Sequence, residues 1–430
     1  MRFILLFVSN LFIFFIYFVI IKYNFKEYLM ISLLANWTTD MWAPVIGLFS
    51  FIPNYAWSII VFTIILKLVL SPLDFWQRKV QRDSTKKQQE LQPLMEKLQK
   101  QYGNNKQMLN QKTMELYKKH NYNVVGSCVS MLVNFVLTMF IFFTLFYGLT
   151  GMSQDKIYNQ YKDLQQNFYT EYSAAFAINN DADEVWAHYT SLLSAEEANA
   201  RQALIDEGVT DPTAEQIFAK EQDLVLQNNT QLQDILNNEA QFYNEIKDGW
   251  LWIDSIWRPD TYVSGFPDYN TYKSSASITS RDYYKAVADS ESLSDDEKNA
   301  IYQKWQNEYN LITHKIQTEH NSWNGYFILV ILAALITYLS ISISQRTSLK
   351  QNKAQAQAQP GAMRIMKFIM PLIMVFFTLS YSSAFAIYIV TNQIMSLLLS
   401  IVSMAIFNKK DKNNQDIVVK PKRIDVEYSR

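Results

Sequence analysis

Lys67 stands out chemically because it lies inside the apolar run 55–73. A lysine ammonium at the centre of a bilayer costs about 2.5–3.5 kcal/mol on insertion scales, so this one needs water or a polar partner. Thr63 and Ser71 lie four residues before and after it and share its helical face. A cation there could attract anionic groups into a membrane. The alternative is a lysine that extends to the membrane surface near Asp74.

Two further apolar runs carry polar pairs at the same spacing, Asn134 with Thr138 and Tyr388 with Asn392. Either pair alone is typical of packing between membrane helices. Three polar faces around one lysine instead predict a water-filled pocket within a helix bundle. The predicted lining is Lys67, Thr63, Asn134, Thr138, Tyr388 and Asn392.

Residues that carry catalysis or bind metals are sparse. The four histidines show no metal-ligand spacing, and the single cysteine, Cys128, lies in an apolar run. The sequence contains no HExxH motif, no Gly-x-Ser-x-Gly motif and no paired membrane aspartates. We therefore expect no catalytic residue, no metal site, no cofactor and a function that is not enzymatic.

Membrane helices are the elements that must position these residues. Of the 430 residues, 49% are apolar, and charge is segregated away from long apolar runs that a soluble core does not need. We predict an all-α polytopic membrane protein of six spans, the first an uncleaved anchor; a cleaved signal peptide is the alternative. The predicted segments are the N-terminal anchor (1–22), an extracellular or interfacial segment (23–54), core helix 1 (55–73), a cytoplasmic helical hairpin (74–126), core helix 2 (127–149), an acidic extracellular domain (150–324), core helix 3 (325–345), a basic cytoplasmic loop (346–364), core helices 4 and 5 (365–407) and a basic cytoplasmic tail (408–430).

The distribution of basic residues predicts the orientation. Lys+Arg and Asp+Glu number 11 and 5 in 74–123, 5 and 0 in 346–367, and 7 and 4 in 408–430. Residues 150–322 hold 12 and 29, a net charge of −17. The positive-inside rule places the three basic segments in the cytoplasm and 150–322 outside. Alternation across six spans agrees and puts both termini in the cytoplasm.

The polar segments show helix signals. Leu91, Leu94, Met95 and Leu98 recur at helical spacing, and Tyr102-Gly103-Asn104-Asn105 interrupts the pattern. This predicts a helical hairpin with a basic surface that could touch anionic lipid or ribosomal RNA; a solvated loop is the alternative. In the acidic segment, Ser194-Ala-Glu-Glu197 and Ser294-Asp-Asp-Glu297 fit a capping box, and Asp211-Pro212 places proline in a first helical turn. We expect this domain to be mostly helical.

Several blocks of sequence, in order along residues 54–407, resemble the YidC/Oxa family of membrane protein insertases. The blocks are Trp57-Ser-Ile-Ile-Val-Phe-Thr63-Ile-Ile-Leu-Lys67-Leu-Val-Leu-Ser-Pro72, Glu90-Leu-Gln-Pro93-Leu-Met-Glu-Lys-Leu98 with Tyr102, Leu116-Tyr117-Lys-Lys-His120, Trp250-Leu-Trp-Ile-Asp254 and Ser383-Ala-Phe-Ala-Ile-Tyr388-Ile-Val-Thr-Asn392. Their order and spacing make the resemblance specific. Family members carry arginine where this chain has Lys67 and usually glutamine where it has Asn134, and residues 150–249 have no counterpart in the short family pattern.

The resemblance implies five core helices around a hydrophilic groove that is open to the cytoplasm and to lipid. The polar residues above would line the groove, and a cytoplasmic hairpin carrying Gln92, Pro93, Leu98 and Tyr102 would guard its mouth. The implied partners are nascent membrane proteins, the ribosome through the basic tail and loops, the lipid bilayer and, as a further candidate, the Sec translocon.

The leading hypothesis is thus a membrane protein insertase and chaperone in a bacterial cell membrane. It would move transmembrane segments and short hydrophilic tails from the cytoplasm into the bilayer. A polytopic transporter or channel with an extracellular domain is the alternative. The sequence shows neither an inverted repeat nor a pair of Gly/Pro-broken helices, which such proteins often use.

Overall fold

The computed structural model describes residues 37–49, 51–122, 124–319, 323–351 and 360–415. Regular structure in these residues is helical, with no strand and one isolated β-bridge between Trp250 and Ile253. The helices are α1 (37–47), α2 (Tyr55–Tyr102), α3 (Lys106–Lys119), α4 (Val124–Phe176), α5 (Ala182–Asp206), α6 (Ala214–Asn228), α7 (Thr230–Ile246), α8 (Tyr269–Lys273), α9 (Ala276–Thr279), α10 (Asp282–Ala288), α11 (Asp295–Ile312), α12 (His314–Glu319), α13 (Ile328–Gln351), α14 (Pro360–Ser380) and α15 (Ser383–Gln415). The predicted anchor 1–22 and residues 416–430 of the predicted tail lie outside the described residues.

The described residues divide into two compact units. The membrane-helix unit comprises Phe49–Thr144, Leu329–Thr378 and the chain from Ala386 onward. The acidic unit comprises 37–48, Leu145–Ile328 and Leu379–Phe385.

Three helices are long and apolar enough to cross a membrane, over Tyr55–Lys87, Leu132–Phe176 and Ser383–Phe407. Two shorter apolar helices cover Ile328–Ile343 and Lys367–Ser380. Large apolar side chains on these helices are exposed, as expected where lipid is the solvent; in the membrane-helix unit they include Leu68, Val69, Val136, Phe140, Ile331, Leu335, Phe368, Leu372 and Leu398. The protein is therefore an all-α polytopic membrane protein, which confirms the predicted fold class.

Helix α2 extends well beyond the predicted span 55–73. Asn54 caps its first turn, where the Asn54 side chain accepts a hydrogen bond from the Ala56 amide at 2.8 Å. Pro72 lies inside the helix and cannot donate to the carbonyl of Leu68, but the Ser71 hydroxyl donates to that oxygen at 2.7 Å. The helix therefore continues through Pro72, because a neighbouring side chain satisfies the carbonyl that the proline leaves without its amide donor.

The predicted hairpin is present as the end of α2 followed by α3. Helix α2 ends at Tyr102, and Asn105 caps α3 by accepting a hydrogen bond from the Met108 amide at 3.1 Å. At the far end of the hairpin, the Lys87 ammonium donates to the Asn121 carbonyl at 3.1 Å. The chain thus turns at the interruption that the sequence pattern indicated.

Aromatic side chains form much of the core of the acidic unit. The buried ring of Tyr309 lies 4.6 Å from Tyr272, 4.8 Å from Tyr161 and 5.5 Å from Tyr269, measured between ring centroids. Its hydroxyl donates to the Pro267 carbonyl at 2.8 Å. Tyrosine suits such a core because its ring packs and its hydroxyl finds a partner.

Two of the three predicted helix starts differ from the structure. Ser294 caps α11 in a full capping box with Glu297, as predicted. The prediction at Ser194 is wrong, because this residue lies inside α5 and its hydroxyl donates to the Thr190 carbonyl at 3.1 Å. Pro212 precedes the first turn instead of lying in it, since Thr213 caps α6.

A buried carboxyl group lies in the acidic unit. Glu239 on α7 has no exposed surface, and its Oε1 accepts a hydrogen bond from Asn167 Nδ2 at 2.7 Å. Burial raises the pKa of Glu239 to about 8, so the folded protein holds this side chain neutral at pH 7.

The segment before α13 is held by Asn324, which is fully buried. Its amide nitrogen donates to the carbonyls of Ser255 at 3.0 Å and Pro259 at 2.8 Å, and its oxygen accepts from the Ser255 amide at 2.7 Å. The Ser383 hydroxyl, in the first turn of α15, donates to the Arg258 carbonyl at 2.7 Å. The tryptophan-rich block 250–254 therefore belongs to a loop that is hydrogen-bonded to Asn324, before α13, and to the first turn of α15.

Candidate functional site

A cavity of about 60 Å³ lies within the membrane-helix unit. Helices α2, α4 and α15 line it, through Leu66, Lys67, Leu70, Leu73, Asp74, Asn134, Leu137, Thr138, Ile141, Phe142, Tyr388 and Asn392. Five of the six residues predicted for the groove are in this set, all except Thr63. Polar groups from three separate helices therefore meet at one place among apolar side chains.

Thr63 lies outside this cavity lining. Its side chain is buried, and its hydroxyl donates to the Ile59 carbonyl of the same helix at 2.6 Å. A threonine in a membrane helix commonly bonds back one turn in this way. The shared helical face with Lys67 is thus not enough to bring its hydroxyl to the cavity.

The ammonium of Lys67 is paired with a carboxylate of its own helix. Its Nζ lies 2.9 Å from Oδ2 of Asp74, and the two side chains are 14% and 16% exposed. Seven residues correspond to nearly two full helical turns, which place both side chains on one face about 10 Å apart along the axis. The lysine stem, the aspartate side chain and the 2.9 Å contact between them together cover that separation. The i, i+7 spacing of opposite charges is the sequence signal for this pair, whereas the prediction above treats Asp74 only as a marker of the membrane surface.

Because of this pair, the cavity contains one positive and one negative side chain and is close to neutral overall. An ion pair in a medium of low dielectric constant avoids most of the cost of an isolated charge. Around it, Asn134 and Asn392 are half-buried, Thr138 is exposed and Tyr388 is buried. These side chains can donate and accept hydrogen bonds, as a polar peptide segment or water requires.

Further contacts tie α15 to the two apolar helices beside it. The Arg78 guanidinium donates to the Ser400 hydroxyl at 2.9 Å, and that of Arg82 donates to the Phe407 carbonyl at 3.2 Å while lying 4.8 Å from the Phe407 ring. From α13, the Thr337 hydroxyl donates to Gln393 at 2.8 Å. These contacts, which no sequence pattern predicted, hold the helix that carries Tyr388 and Asn392.

The four residues singled out in the hairpin lie apart from the cavity lining. Gln92 donates to Glu96 at 3.0 Å on the same helix, and Pro93 is exposed. Leu98 and Tyr102 are half-buried near the turn between α2 and α3. Among the residues that the structure describes, no group of three or more His, Cys, Asp or Glu side chains is arranged to hold a metal ion.

The fold and the cavity define the class of protein: a polytopic helical membrane protein with an ion pair and polar side chains among its spans. Comparison with known families is more specific. The family described as 60Kd inner membrane protein, which is the YidC/Oxa family, matches residues 47–198. This range includes α2, α3 and two of the predicted groove residues on α4, Asn134 and Thr138. The resemblance of this chain to the YidC/Oxa family is thereby confirmed.

Individual relatives agree. A membrane protein insertase YidC of Leptospira interrogans is 50% identical over 82 residues, 19% of this chain and 12% of that protein. Those of Fusobacterium nucleatum and Clostridium tetani are 41% identical over 99 residues and 37% over 105, covering 23% and 24% of this chain and 46% of each relative. The matches thus span less than half the length of these relatives. No solved structure matches the chain.

Proposed function

We propose that this chain is a membrane protein insertase and chaperone. It takes transmembrane segments and short hydrophilic tails of newly made proteins from the cytoplasm and lowers the barrier to their entry into the bilayer. The observation that carries the proposal is the ion-paired polar cavity that α2, α4 and α15 line among apolar helices. The family match and the names of the relatives support the same function.

The physical basis is the cost of moving polar groups through hydrocarbon. Each backbone group without a hydrogen-bond partner costs several kcal/mol there, and a charged side chain costs about 2.5–3.5 kcal/mol on insertion scales. A hydrophilic groove open to the cytoplasm and to lipid shortens the dry path. In this mechanism, Asn134, Thr138, Tyr388 and Asn392 keep the groove wet, and Lys67 attracts acidic residues of the tail.

The proposed orientation follows the basic residues. The hairpin, the loop 346–364 and both termini face the cytoplasm, and residues 150–324 face outward. The basic tail and loops would then be available to bind ribosomal RNA, and the hairpin would lie at the mouth of the groove. The Sec translocon remains a further candidate partner.

Reconstitution tests the function. The purified chain is placed in phospholipid vesicles, and a single-span test protein is synthesised in their presence without other membrane proteins. We expect more protease-protected test protein than in protein-free vesicles, and we expect no uptake of small solutes by the same vesicles. Protection equal to that in protein-free vesicles would refute the insertase proposal, and solute uptake without protection would support the transporter alternative.

A further inference from the structure

Asp74 occupies the position from which a carboxylate reaches the ammonium of Lys67. The two charged groups are 2.9 Å apart, both line the cavity, and both side chains are largely shielded from solvent. A substrate carboxylate that binds Lys67 must therefore compete with a carboxylate already in place. This competitor is permanently available because it belongs to the same helix.

Helix formation does not require an aspartate at this position. Aspartate is a weak helix former in helix interiors, and Pro72 lies just before it. A second cation, Arg78, lies one turn after Asp74 and interacts electrostatically with its carboxylate. Asp74 therefore keeps a cationic neighbour when Lys67 is withdrawn, which makes an exchange of partners feasible.

Building on the insertase function proposed above, we propose that Asp74 is a specificity-determining residue, an internal competitor for Lys67 that lowers the preference of this cation for substrate segments carrying acidic residues. When an acidic segment enters, its carboxylate replaces that of Asp74 on Lys67, and Asp74 turns toward Arg78. No charge is left without a counter-charge at any stage.

Neutral and basic segments cannot make this exchange. A neutral segment that displaced Asp74 would leave the ammonium of Lys67 unpaired in a medium of low dielectric constant, which is costly. A basic segment would meet two cations, Lys67 and Arg78, around one carboxylate. Lys67 thus stays paired with Asp74 when a neutral or basic segment enters, and an acidic segment gains the cation only by displacing Asp74. The preference for acidic tails is therefore smaller than Lys67 alone would give.

Replacing Asp74 by asparagine tests this role, because asparagine keeps the size and removes the charge. Two versions of a single-span test protein are compared, with aspartates or asparagines at the same positions of the translocated tail. Initial rates of protease protection are measured in reconstituted vesicles at limiting substrate. If Asp74 pairs with Lys67 about nine tenths of the time, removal of the Asp74 charge raises the fraction of Lys67 that is free to bind a substrate carboxylate about tenfold. We expect Asp74→Asn to raise the rate ratio of acidic to neutral tail by about tenfold.

The matched control is Asp83→Asn, which removes a carboxylate from an exposed position of the same helix outside the cavity lining. It should leave the ratio at the wild-type value. An unchanged ratio in Asp74→Asn, or an equal rise in Asp83→Asn, would overturn the proposal. Loss of insertion of both tails in a folded Asp74→Asn protein would also overturn it, because Asp74 would then be required for insertion in general.

A second variant covers the case in which Asp74→Asn does not fold. Asp74→Glu keeps a carboxylate on a side chain one methylene longer, so it should keep the low ratio of the wild type; a raised ratio would overturn the proposal. Failure of the underlying function gives a different result, since wild-type vesicles would then protect neither tail above protein-free vesicles. If wild type and Asp74→Asn insert both tails in the same ratio, the insertase function stands and the competitor role is refuted.

Discussion

The ion pair between Lys67 and Asp74 should appear as an energetic coupling in the folded protein. At 2.9 Å, and with an effective dielectric constant of about 20, the Coulomb attraction is about 6 kcal/mol. Desolvation of two side chains that are 14% and 16% exposed opposes most of it, and Arg78 remains as a neighbour of Asp74 when Lys67 is removed. We therefore expect a net coupling of about 1–2 kcal/mol, within the usual range for residues in contact.

A double-mutant cycle measures this coupling. Lys67→Ala, Asp74→Ala and the double variant are unfolded with SDS in mixed micelles, and helicity is followed by circular dichroism. The double variant should be about 1–2 kcal/mol more stable than the sum of the two single effects predicts. Lys67→Ala combined with Asp83→Ala is the control and should be additive. Coupling below about 0.3 kcal/mol for the Lys67–Asp74 cycle would refute the ion pair.

Four further predictions follow from the site, the charge distribution and the buried carboxyl. Lys67→Arg should keep insertion of an acidic-tailed substrate, Lys67→Ala should reduce it and Lys67→Glu should reduce it further by repulsion; equal protease protection in all three would refute the electrostatic attraction. In a cysteine-free background, a cysteine at the exposed position 99 (Gln99) should be protected from an impermeant maleimide in intact cells, and one at Asn228 should react; the reverse would invert the orientation. Removing 409–430 should weaken co-sedimentation with ribosomes at low salt, because the tail is basic; unchanged binding would contradict this. The wild-type protein should lose stability as the pH rises from about 4.5 to about 8, because burial raises the pKa of Glu239 to about 8 and the folded state keeps its proton while the unfolded chain ionises. Glu239→Gln should remove most of this loss; equal shifts of the thermal midpoint in wild type and variant over that range would argue against it.

Features that depend on local sequence were predictable. The length of an apolar run decides whether a helix can cross lipid, and the long apolar runs identified an all-α membrane protein. Four-residue spacing places two side chains on one helical face wherever the helix packs, so the pairs Asn134/Thr138 and Tyr388/Asn392 could be recognised without a structure. Local rules were weaker at helix starts. A Ser-x-x-Glu pattern begins α11 at Ser294, but the same pattern at Ser194 lies in a helix that had already begun at an earlier cap.

The family resemblance was also readable from the sequence, because it rests on the order of short blocks, and the comparison confirms it over residues 47–198. The contacts of the individual polar side chains could not be predicted from the sequence. Helical periodicity placed Thr63 on the same face as Lys67. In the structure, however, the Thr63 hydroxyl donates to the carbonyl of Ile59, and Thr63 is not part of the cavity lining.

Only the tertiary structure decided which polar groups meet. It brought Lys67, Asn134 and Asn392 to one cavity although they lie far apart in the chain, and it tied α2 to α15 through Arg82 and Phe407. It also showed that Lys67 has Asp74 as its partner. The physical reason is that a side chain's partner depends on its rotamer and on the packing of distant helices around it, while sequence spacing specifies only the face from which it starts.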